Sequence, residues 1–396
     1  MTVRKAFLSG NDALAEGVRL ARPQVISAYP ITPQTTVVER LSEMVEDGSL
    51  KSEYIHVESE HSALSAAMGS SSMGARTFTA TSSQGLLYMA ECLHYASGGR
   101  YPIVMMNANR STALPWNIYG DQRDSLSQLD CGWIQVYVED AQESLDMVLQ
   151  SYVIAENLKV LTPIMINLDG FILTHTYELV EIPTQEQADK FIPKFETPYK
   201  MDVGKPVNMA FSAGPADNTE FKYQQHKAMT YSKKVIADVD EEFFKQFGRK
   251  YGGMVEEYKC EDAEYVLVTL GSVTGLSRIV VDELRQEGLK VGVFKIRFLR
   301  PFPEEEVINL AKHVKGIGVL EKDISFGYEG TAYTNVNSSI VKSGVAVASY
   351  NFVAGLGGRD ISKENIRECF EYVKLGAQGT KQEFVKFIGL GVEVND

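Results

Sequence analysis

Polar side chains stand directly after the short apolar runs of this sequence, where they can reach a shared cleft. In the segment YPITPQTT, Thr32 lies between Pro30 and Pro33, and the two prolines stiffen the turn. The helix predicted to follow offers free backbone N–H groups and a positive dipole end. The segment therefore suits a substrate carboxylate. The alternative is an ordinary strand-to-helix turn capped by Thr35 or Thr36.

Two glutamates follow the next apolar run, in the segment VESEHSA. Glu58 and Glu60 would share one face if the strand continued through them, because successive strand residues point to opposite sides. A carboxylate at that place can be partly buried and functional. The alternative is a helix start, where acidic side chains favour the positive end of the helix dipole. The sequence leaves both interpretations open.

An arginine ends a third run, since Arg110 follows YPIVMMNAN. Its guanidinium is a planar fork that matches a carboxylate, although a structural salt bridge is the alternative. Thr32, Glu60 and Arg110 would then stand at the carboxyl ends of three strands. Ligands of open parallel sheets bind at that edge, so the sequence predicts one shared site.

Apolar runs that alternate with helical patterns must position these side chains. Strands separated by helices indicate an α/β fold, with a parallel sheet and helices on both faces, over residues 1–182. We interpret the more polar residues 183–257 as a linker or excursion with one helix, and residues 258–396 as a second α/β unit. The predicted strands are 24–30, 54–60, 76–82, 101–110, 133–140, 162–170, 263–272, 290–299, 316–323 and 345–353, and the linker helix is 230–252.

Charge and cysteine usage exclude several classes of function. The formal net charge of −13 argues against a nucleic-acid surface and against docking on an anionic membrane. No apolar run is long enough for a membrane span, and the N-terminus lacks the apolar core of a signal peptide, so we expect a cytoplasmic protein. The four cysteines form no CxxC, so we expect neither an iron–sulfur cluster nor a metal site in this chain.

The motifs together resemble one protein family. YPITPQTT, VESEHSA, GARTFTATSSQGL, IYGDQRD and the distant GLGGRD are similar to the alpha subunit of pyruvate:ferredoxin oxidoreductase and related 2-oxoacid:ferredoxin oxidoreductases. The resemblance covers nearly the whole chain. It implies a thiamine-diphosphate pyrimidine-binding domain followed by a domain like the C-terminal domain of transketolase. The implied reaction converts a 2-oxoacid (pyruvate first), coenzyme A and oxidised ferredoxin into acyl-CoA, carbon dioxide and reduced ferredoxin.

The resemblance also implies a division of labour among subunits. A beta subunit would hold the diphosphate and its magnesium. The [4Fe-4S] clusters would lie on the beta subunit and on a ferredoxin-like delta subunit, and a gamma subunit would complete the complex. Ferredoxin would accept the electrons, and coenzyme A would be the co-substrate. This chain would therefore be active only as part of the assembly.

Individual roles follow from the same resemblance. Glu60 matches the family glutamate that hydrogen-bonds the aminopyrimidine ring of the cofactor, which makes it the catalytic residue. Thr32 and Arg110 match residues that bind the carboxylate and carbonyl of the substrate. Ile31 belongs to the same substrate-binding turn, and Pro30 with Thr32 would also contact the cofactor.

One departure from the family pattern concerns substrate choice. Trp116 stands where relatives usually carry a smaller aliphatic residue, and we expect Trp116 and Ile118 to line the wall around the substrate side chain. An indole favours contact with another ring, so an aryl 2-oxoacid such as phenylglyoxylate or a branched-chain 2-oxoacid is an alternative to pyruvate, with another electron acceptor as a further option. Trp116 could equally face a neighbouring subunit. A non-catalytic assembly subunit is the remaining alternative.

Overall fold

The computed structural model describes residues 4–391, which form two α/β units joined by a helical excursion. The strands of the first unit are β1 (Arg4–Ser9), β2 (Val25–Ala28), β3 (Glu53–His56), β4 (Thr77–Thr81), β5 (Val104–Asn109), β6 (Ile134–Tyr137), β7 (Ile164–Asp169) and β8 (Tyr177–Ile182). Its helices are α1 (Gly10–Ala21), α2 (Thr35–Glu46), α3 (Glu60–Ser72), α4 (Ser83–Tyr88), α5 (Ala90–Gly98), α6 (Arg123–Leu126), α7 (Ala141–Ala155) and α8 (Ile172–His175).

The first unit contains the predicted parallel sheet. Strands β2 to β7 pair in parallel in the order β6-β7-β5-β4-β2-β3. Strands β5 and β7 are buried along their whole length, because helices cover both faces of the sheet. The strands β1 and β8 pair antiparallel apart from this sheet, with Arg4 opposite Ile182, so the two ends of the unit meet.

The excursion contains α9 (Gln185–Phe191) and α10 (Pro215–Phe247). The long helix begins well before the predicted residue 230, because Pro215 is favourable in a first helical turn. It ends at Gly248, whose positive φ of 73° terminates the helix. Its C-terminal half buries Val235 and Phe243 against the first unit, so this part of the excursion is a packed layer.

The second unit adds seven strands and four helices. Its strands are β9 (Val255–Tyr258), β10 (Tyr265–Thr269), β11 (Val291–Ile296), β12 (Phe298–Arg300), β13 (Gly316–Glu321), β14 (Ala348–Val353) and β15 (Val385–Phe387). Its helices are α11 (Val273–Gln286), α12 (Glu304–Ala311), α13 (Thr331–Ser343) and α14 (Lys363–Ala377). Six strands form a sheet in the order β15-β14-β13-β10-β11-β9, in which only β9 runs antiparallel to its neighbour.

The two units share one interior. Strand β12 leaves the second unit and pairs antiparallel with β6, which extends the first sheet to seven strands. Beside it, Lys295 donates to Glu143 Oε2 over 2.7 Å and Arg297 donates to Glu143 Oε1 over 2.8 Å. Burial raises the pKa of Glu143, but the two cations outweigh burial and lower it to about 2. The carboxylate therefore stays ionised and joins the units.

The structure departs from the sequence predictions mainly at exposed or short elements. The run predicted as a strand over 54–60 ends at His56, because Ser59 caps a helix that begins at Glu60. The sequence predictions did not include β1, β8, β9 or β15, and they merged β11 and most of β12 into one strand over 290–299. Across residues 4–391, every helix is too short or too polar to cross a bilayer.

Candidate functional site

The turn after β2 is fixed by two buried amides. Gln34 accepts from the Ile31 N–H over 3.2 Å and donates to the Ala80 carbonyl over 3.0 Å, which ties the turn to β4. Asn11 donates to the Pro33 carbonyl over 2.8 Å, from the neighbouring helix α1. The loop conformation is thus set by α1 and β4 as well as by its prolines, and it presents Thr32 at its exposed tip.

Arg110 reaches that tip from the end of β5. Its Nη1 donates to the Thr32 carbonyl over 2.8 Å, and its Nε donates to the Asn117 carbonyl over 3.2 Å. The indole of Trp116 lies with its ring centroid 5.4 Å from the guanidinium carbon. Among the described residues, Nη2 has no hydrogen-bond partner, so it can donate to a ligand together with the second N–H of Nη1.

Arg110 is buried, with only 4% of its surface exposed. Burial lowers the pKa of Arg110, and the nearby Asp124 carboxylate opposes the shift. A guanidinium remains charged in proteins in spite of such shifts, because its pKa starts far above neutrality. The site therefore offers a partly desolvated cation, whose interaction with an anion is stronger than in water.

Asp124 ties the ends of β4 and β5 together below the arginine. Its Oδ2 accepts the backbone N–H of Ser83 and of Arg110, each over 3.1 Å, and its Oδ1 accepts from Asn109 Nδ2 over 2.8 Å. Burial raises the pKa of Asp124 to about 6. The group is therefore mainly ionised at neutral pH, and this charge acts as the acceptor that holds the backbone of Arg110 in place.

Glu60 lies at the start of α3, and its carboxylate is directed inward. Ser59 caps the helix by accepting the Ser62 N–H over 3.2 Å. A Cβ added to Gly85, at the start of α4, would lie only 2.7 Å from Glu60 Oε1, so the glycine leaves room for the carboxylate. Glu58 is exposed and accepts from the Ser62 hydroxyl over 2.5 Å. Glu60 rather than Glu58 therefore belongs to the interior.

The Glu60 carboxylate fits a ligand that donates hydrogen bonds. Glu60 is 8% exposed, and within residues 4–391 its carboxylate has no hydrogen-bond partner. A carboxylate without a donor keeps its lone pairs free, so it can accept a hydrogen bond from a ligand N–H placed here. This requirement suits a ring that carries an amino group or a protonated nitrogen.

The predicted site residues divide into two connected groups. Thr32 and Arg110 are in direct contact, and Trp116 lies on the same guanidinium. Glu60 lies against the start of α4, and this segment is linked to the arginine side because Ser83 donates to the Ser111 carbonyl over 2.8 Å. All these side chains lie at the carboxyl edge of the first sheet, as predicted.

The remaining predicted residues lie around the arginine group. Ile31 and Ile118 are half-buried, and Pro30 is exposed. Trp116 is 69% exposed and contacts Arg110 with one face. We therefore find the indole stacked on the arginine, an arrangement that the sequence analysis did not anticipate.

The second unit holds the loop that follows Arg110. Asp169, at the end of β7, accepts from Lys322 Nζ over 3.0 Å, from Ser272 N over 2.9 Å and from Gln122 Nε2 over 3.1 Å. Burial raises the pKa of Asp169, but Lys322 and Ser272 outweigh burial and the pKa falls below its ordinary value. A buried ion pair therefore connects both sheets to the loop at Gln122.

Sequence reasoning missed the side chains that position the site. Gln34, Asn117 and Asp124 all lie in or beside the quoted motifs, yet their residue types also occur in ordinary turns. Asn11 lies in the first turn of α1, which Ser9 caps, and its buried amide contacts Pro33. The signal that could have found them was their place in or beside the motifs that follow the apolar runs.

Comparison with known proteins identifies two family regions. Residues 16–241 match the family described as "Pyruvate flavodoxin/ferredoxin oxidoreductase, thiamine diP-bdg". Residues 263–366 match "Pyruvate:ferredoxin oxidoreductase core domain II". The chain is 49% identical to pyruvate synthase subunit PorA of Methanothermobacter thermautotrophicus, covering 91% of this chain and 93% of the relative. It is 46% identical to ketoisovalerate oxidoreductase subunit VorA of Pyrococcus horikoshii, covering 93% and 94%.

Solved structures agree in fold. A 2-oxoglutarate:ferredoxin oxidoreductase from Magnetococcus marinus, solved with 2-oxoglutarate, coenzyme A and succinyl-CoA bound, superposes with a TM-score of 0.71 at 20% identity. The match covers 94% of this chain and 65% of that chain, so this chain spans somewhat less than two thirds of its length. A split-gene transketolase superposes with a TM-score of 0.52 at 10% identity, covering 93% and 98%. Both likenesses concern the fold.

Proposed function

Because the chain belongs to the family of 2-oxoacid:ferredoxin oxidoreductase alpha subunits, we propose that its sheet edge supplies half of an active site for CoA-dependent oxidation of a 2-oxoacid. The chain is a subunit of an oxidoreductase that acts on 2-oxoacids and uses thiamine diphosphate and coenzyme A. Pyruvate fits best as the substrate. The observation that carries the residue-level proposal is the pairing of a buried arginine fork with a separate buried carboxylate at one sheet edge.

In this proposal Arg110 binds the carboxylate of the 2-oxoacid. Nη1 is already held by the Thr32 carbonyl, and Nη2 is free of partners within the described residues, so the two outer nitrogens can donate in parallel. Thr32 is exposed at the same turn, and in this proposal its hydroxyl donates to the substrate carboxylate or carbonyl. Together these groups orient the substrate with its 2-oxo group toward the cofactor.

Glu60 faces the aminopyrimidine side of the cofactor. When bound, thiamine diphosphate supplies the nucleophile and the electron sink that decarboxylation of a 2-oxoacid requires. Glu60 accepts a hydrogen bond from the pyrimidine ring and tunes its proton exchange, which is the catalytic role of this chain. Gly85 leaves room for the carboxylate itself, and Pro30 lies in the same turn as Thr32.

Partner subunits complete the site in this proposal. The relatives are named as subunits, which supports an assembly of several chains. We assign the diphosphate and its magnesium to a beta subunit, and the [4Fe-4S] clusters to the beta and delta subunits, with a gamma subunit completing the complex and ferredoxin accepting the electrons in the cytoplasm. For this chain we propose the division into residues 1–182, 183–257 and 258–396, which the pairing of β1 with β8 supports at its first boundary. Because β9 pairs with β11, the start of the third region moves back to about residue 255.

The relatives and the position of Trp116 bear on the substrate preference. The relatives include both pyruvate and ketoisovalerate enzymes, which leaves a branched-chain substrate as the nearest alternative. The stacking of Trp116 on Arg110 gives the indole a role that does not involve an aryl substrate, which favours pyruvate over phenylglyoxylate. The presence of Thr32, Glu60 and Arg110 together speaks against a non-catalytic assembly subunit.

The proposal can be tested on the native complex. CoA-dependent reduction of a viologen dye is measured with pyruvate, ketoisovalerate, 2-oxoglutarate and phenylglyoxylate at matched concentrations. We expect pyruvate to give the highest kcat/KM. A higher value for ketoisovalerate would move the chain to the branched-chain group, and no CoA-dependent reduction with any 2-oxoacid would overturn the proposed function.

A further inference from the structure

The side chain of Asn117 joins the arginine loop to the second unit. Its Nδ2 donates to the Gly357 carbonyl over 2.8 Å, across 240 positions of the chain, and its Oδ1 accepts the Tyr119 N–H over 2.7 Å. The carbonyl of the same residue accepts from Arg110 Nε. One half-buried residue therefore contacts both the guanidinium and the second unit.

The contact surface on the second unit is a turn made of glycines. Gly355, Gly357 and Gly358 have φ values of 69°, 62° and 79°, in the left-handed region where a side chain is strained. A Cβ on Gly357 would lie 2.6 Å from Asn117 Nδ2, and a Cβ on Gly358 would lie closer still to the side chain of Tyr119. The glycines of the turn 355–358 therefore allow its backbone to approach Asn117 and Tyr119. Any larger residue at Gly357 or Gly358 would collide with these side chains.

A second bond from the same turn adds to this fit. The Gly357 N–H donates to Asp121 Oδ2 over 3.1 Å, so one glycine both donates to and accepts from the arginine loop. Asp121 is completely buried and is also paired with Arg123 over 2.9 Å. The loop from Asn117 to Asp121 is thus held at both ends by Gly357.

We propose that Asn117 and the turn 355–358 are the positioning device for Arg110, so that the second unit sets the affinity for the 2-oxoacid carboxylate. This inference rests on the proposed function of Arg110. The guanidinium has only three supports among the described residues: the Thr32 carbonyl, the Asn117 carbonyl and the face of Trp116. One of these three supports, the Asn117 carbonyl, lies on the loop that Gly357 holds, and Trp116 directly precedes that loop.

The physical consequence is a specific defect in substrate binding. Without the Asn117 amide, the carbonyl that accepts from Arg110 Nε loses its anchor, and the fork can rotate away from the carboxylate. A misplacement of this kind weakens substrate binding without changing the groups that carry out the chemistry. The position of Glu60 depends on α3 and α4 and is not affected.

The test uses the assembled complex that carries Asn117→Ala. We expect the KM for pyruvate to rise about 10-fold, while kcat stays within about 3-fold and the KM for coenzyme A does not change. Gly357→Ala attacks the same contact from the other side and should give the same pattern. Gly344→Ala is the matched control, since Gly344 also has a left-handed φ, of 72°, but no atom lies within 4 Å of an added Cβ.

The double variant separates positioning from general loss of structure. If both residues act through one contact, Asn117→Ala with Gly357→Ala raises the pyruvate KM no further than the stronger single variant. An unchanged pyruvate KM in Asn117→Ala, or an equal rise in the KM for coenzyme A, would overturn the inference.

The same series distinguishes this inference from the function on which it rests. A raised pyruvate KM in Arg110→Lys together with an unchanged KM in Asn117→Ala rejects the positioning role alone. An unchanged pyruvate KM in Arg110→Lys rejects the proposed role of the arginine, and the positioning role with it.

Discussion

Glu60 and Arg110 lie at the same sheet edge, but they are held in different ways. Glu60 is positioned by its own neighbourhood: a capped helix start and a glycine at the next helix, all within the first unit. Arg110 is held by the turn after β2 and by a loop that is anchored to the second unit. The carboxylate depends on local structure, whereas the guanidinium depends on the packing of the whole chain.

This difference corresponds to the two roles that we propose for Glu60 and Arg110. A group that tunes a cofactor needs one fixed distance, which a capped helix start can provide. A group that recognises a substrate must present a fork in a defined plane, which needs several anchors from different directions. Damage to the second unit is therefore expected to impair substrate binding before it affects the cofactor side.

The largest effect is expected from Lys322→Met, which breaks the buried pair with Asp169 between the units. Removal of one partner leaves a buried carboxylate without its cation, and such losses cost about 3–5 kcal/mol of stability. Calorimetric melting of the assembled complex measures the loss. Lys315→Met is the control, because Lys315 pairs with Glu264 on the surface and exposed pairs contribute about 0–1 kcal/mol. Equal melting temperatures of the Lys322→Met and Lys315→Met complexes would mean that other contacts hold the two units together.

Glu60→Gln tests the cofactor side of the comparison. The amide keeps the shape of the side chain but loses the charged acceptor, so we expect kcat to fall at least roughly 100-fold in a complex that still assembles. The kcat is measured by steady-state reduction of a viologen dye. Glu58→Gln is the matched control, since Glu58 is exposed on the same turn and should leave kcat nearly unchanged. The reverse result would transfer the catalytic role to Glu58.

The sequence predicted the part of the site that depends on local pattern. The alternation of apolar runs and helices was enough to place Thr32, Glu60 and Arg110 at one sheet edge. This pattern could not show whether the strand continues to residue 60 or whether a helix begins at Glu60. Ser59 and Glu60 are compatible with both. The structure decides for the helix, which directs Glu60 inward and Glu58 outward.

Tertiary contacts explain what the sequence could not predict. Asn117 and Gly357 are far apart in the chain, and no periodicity connects them. The pairs of β1 with β8 and of β12 with β6 are similarly remote, and their strands are short or exposed. Sequence patterns report burial within one element, and they carry no information about which distant backbone will meet which side chain.

Arg110→Lys tests the substrate side of the comparison. Lysine retains the charge but cannot donate from two nitrogens in one plane, so we expect the pyruvate KM to rise about 10-fold, or roughly 1.4 kcal/mol, with a smaller change in kcat. Arg100→Lys is the control, because Arg100 lies just before β5 and donates to the backbone of Leu161. A rise in the KM for coenzyme A with a flat pyruvate KM would contradict the assignment.

The smallest effect is expected from Trp116→Leu. An indole that is 69% exposed and lies over a guanidinium contributes about 0.5–1 kcal/mol through cation–π attraction. Leucine keeps an apolar side chain but removes the ring, so the KM should rise about 2- to 5-fold for every 2-oxoacid alike. Kinetics with pyruvate and phenylglyoxylate measure this, and Trp116→Phe should restore most of the affinity because it retains an aromatic face.

The ratio of kcat/KM between phenylglyoxylate and pyruvate decides what Trp116 recognises. If the indole acts through Arg110, its loss affects only the carboxylate that all 2-oxoacids share, and the ratio stays constant. If the indole contacts the substrate side chain, its loss lowers the ratio about 5-fold. This corresponds to about 1 kcal/mol, the size of an aromatic pair. A constant ratio would place Trp116 with Asn117 among the supports of the arginine, and a lowered ratio would make Trp116 the residue that selects the substrate.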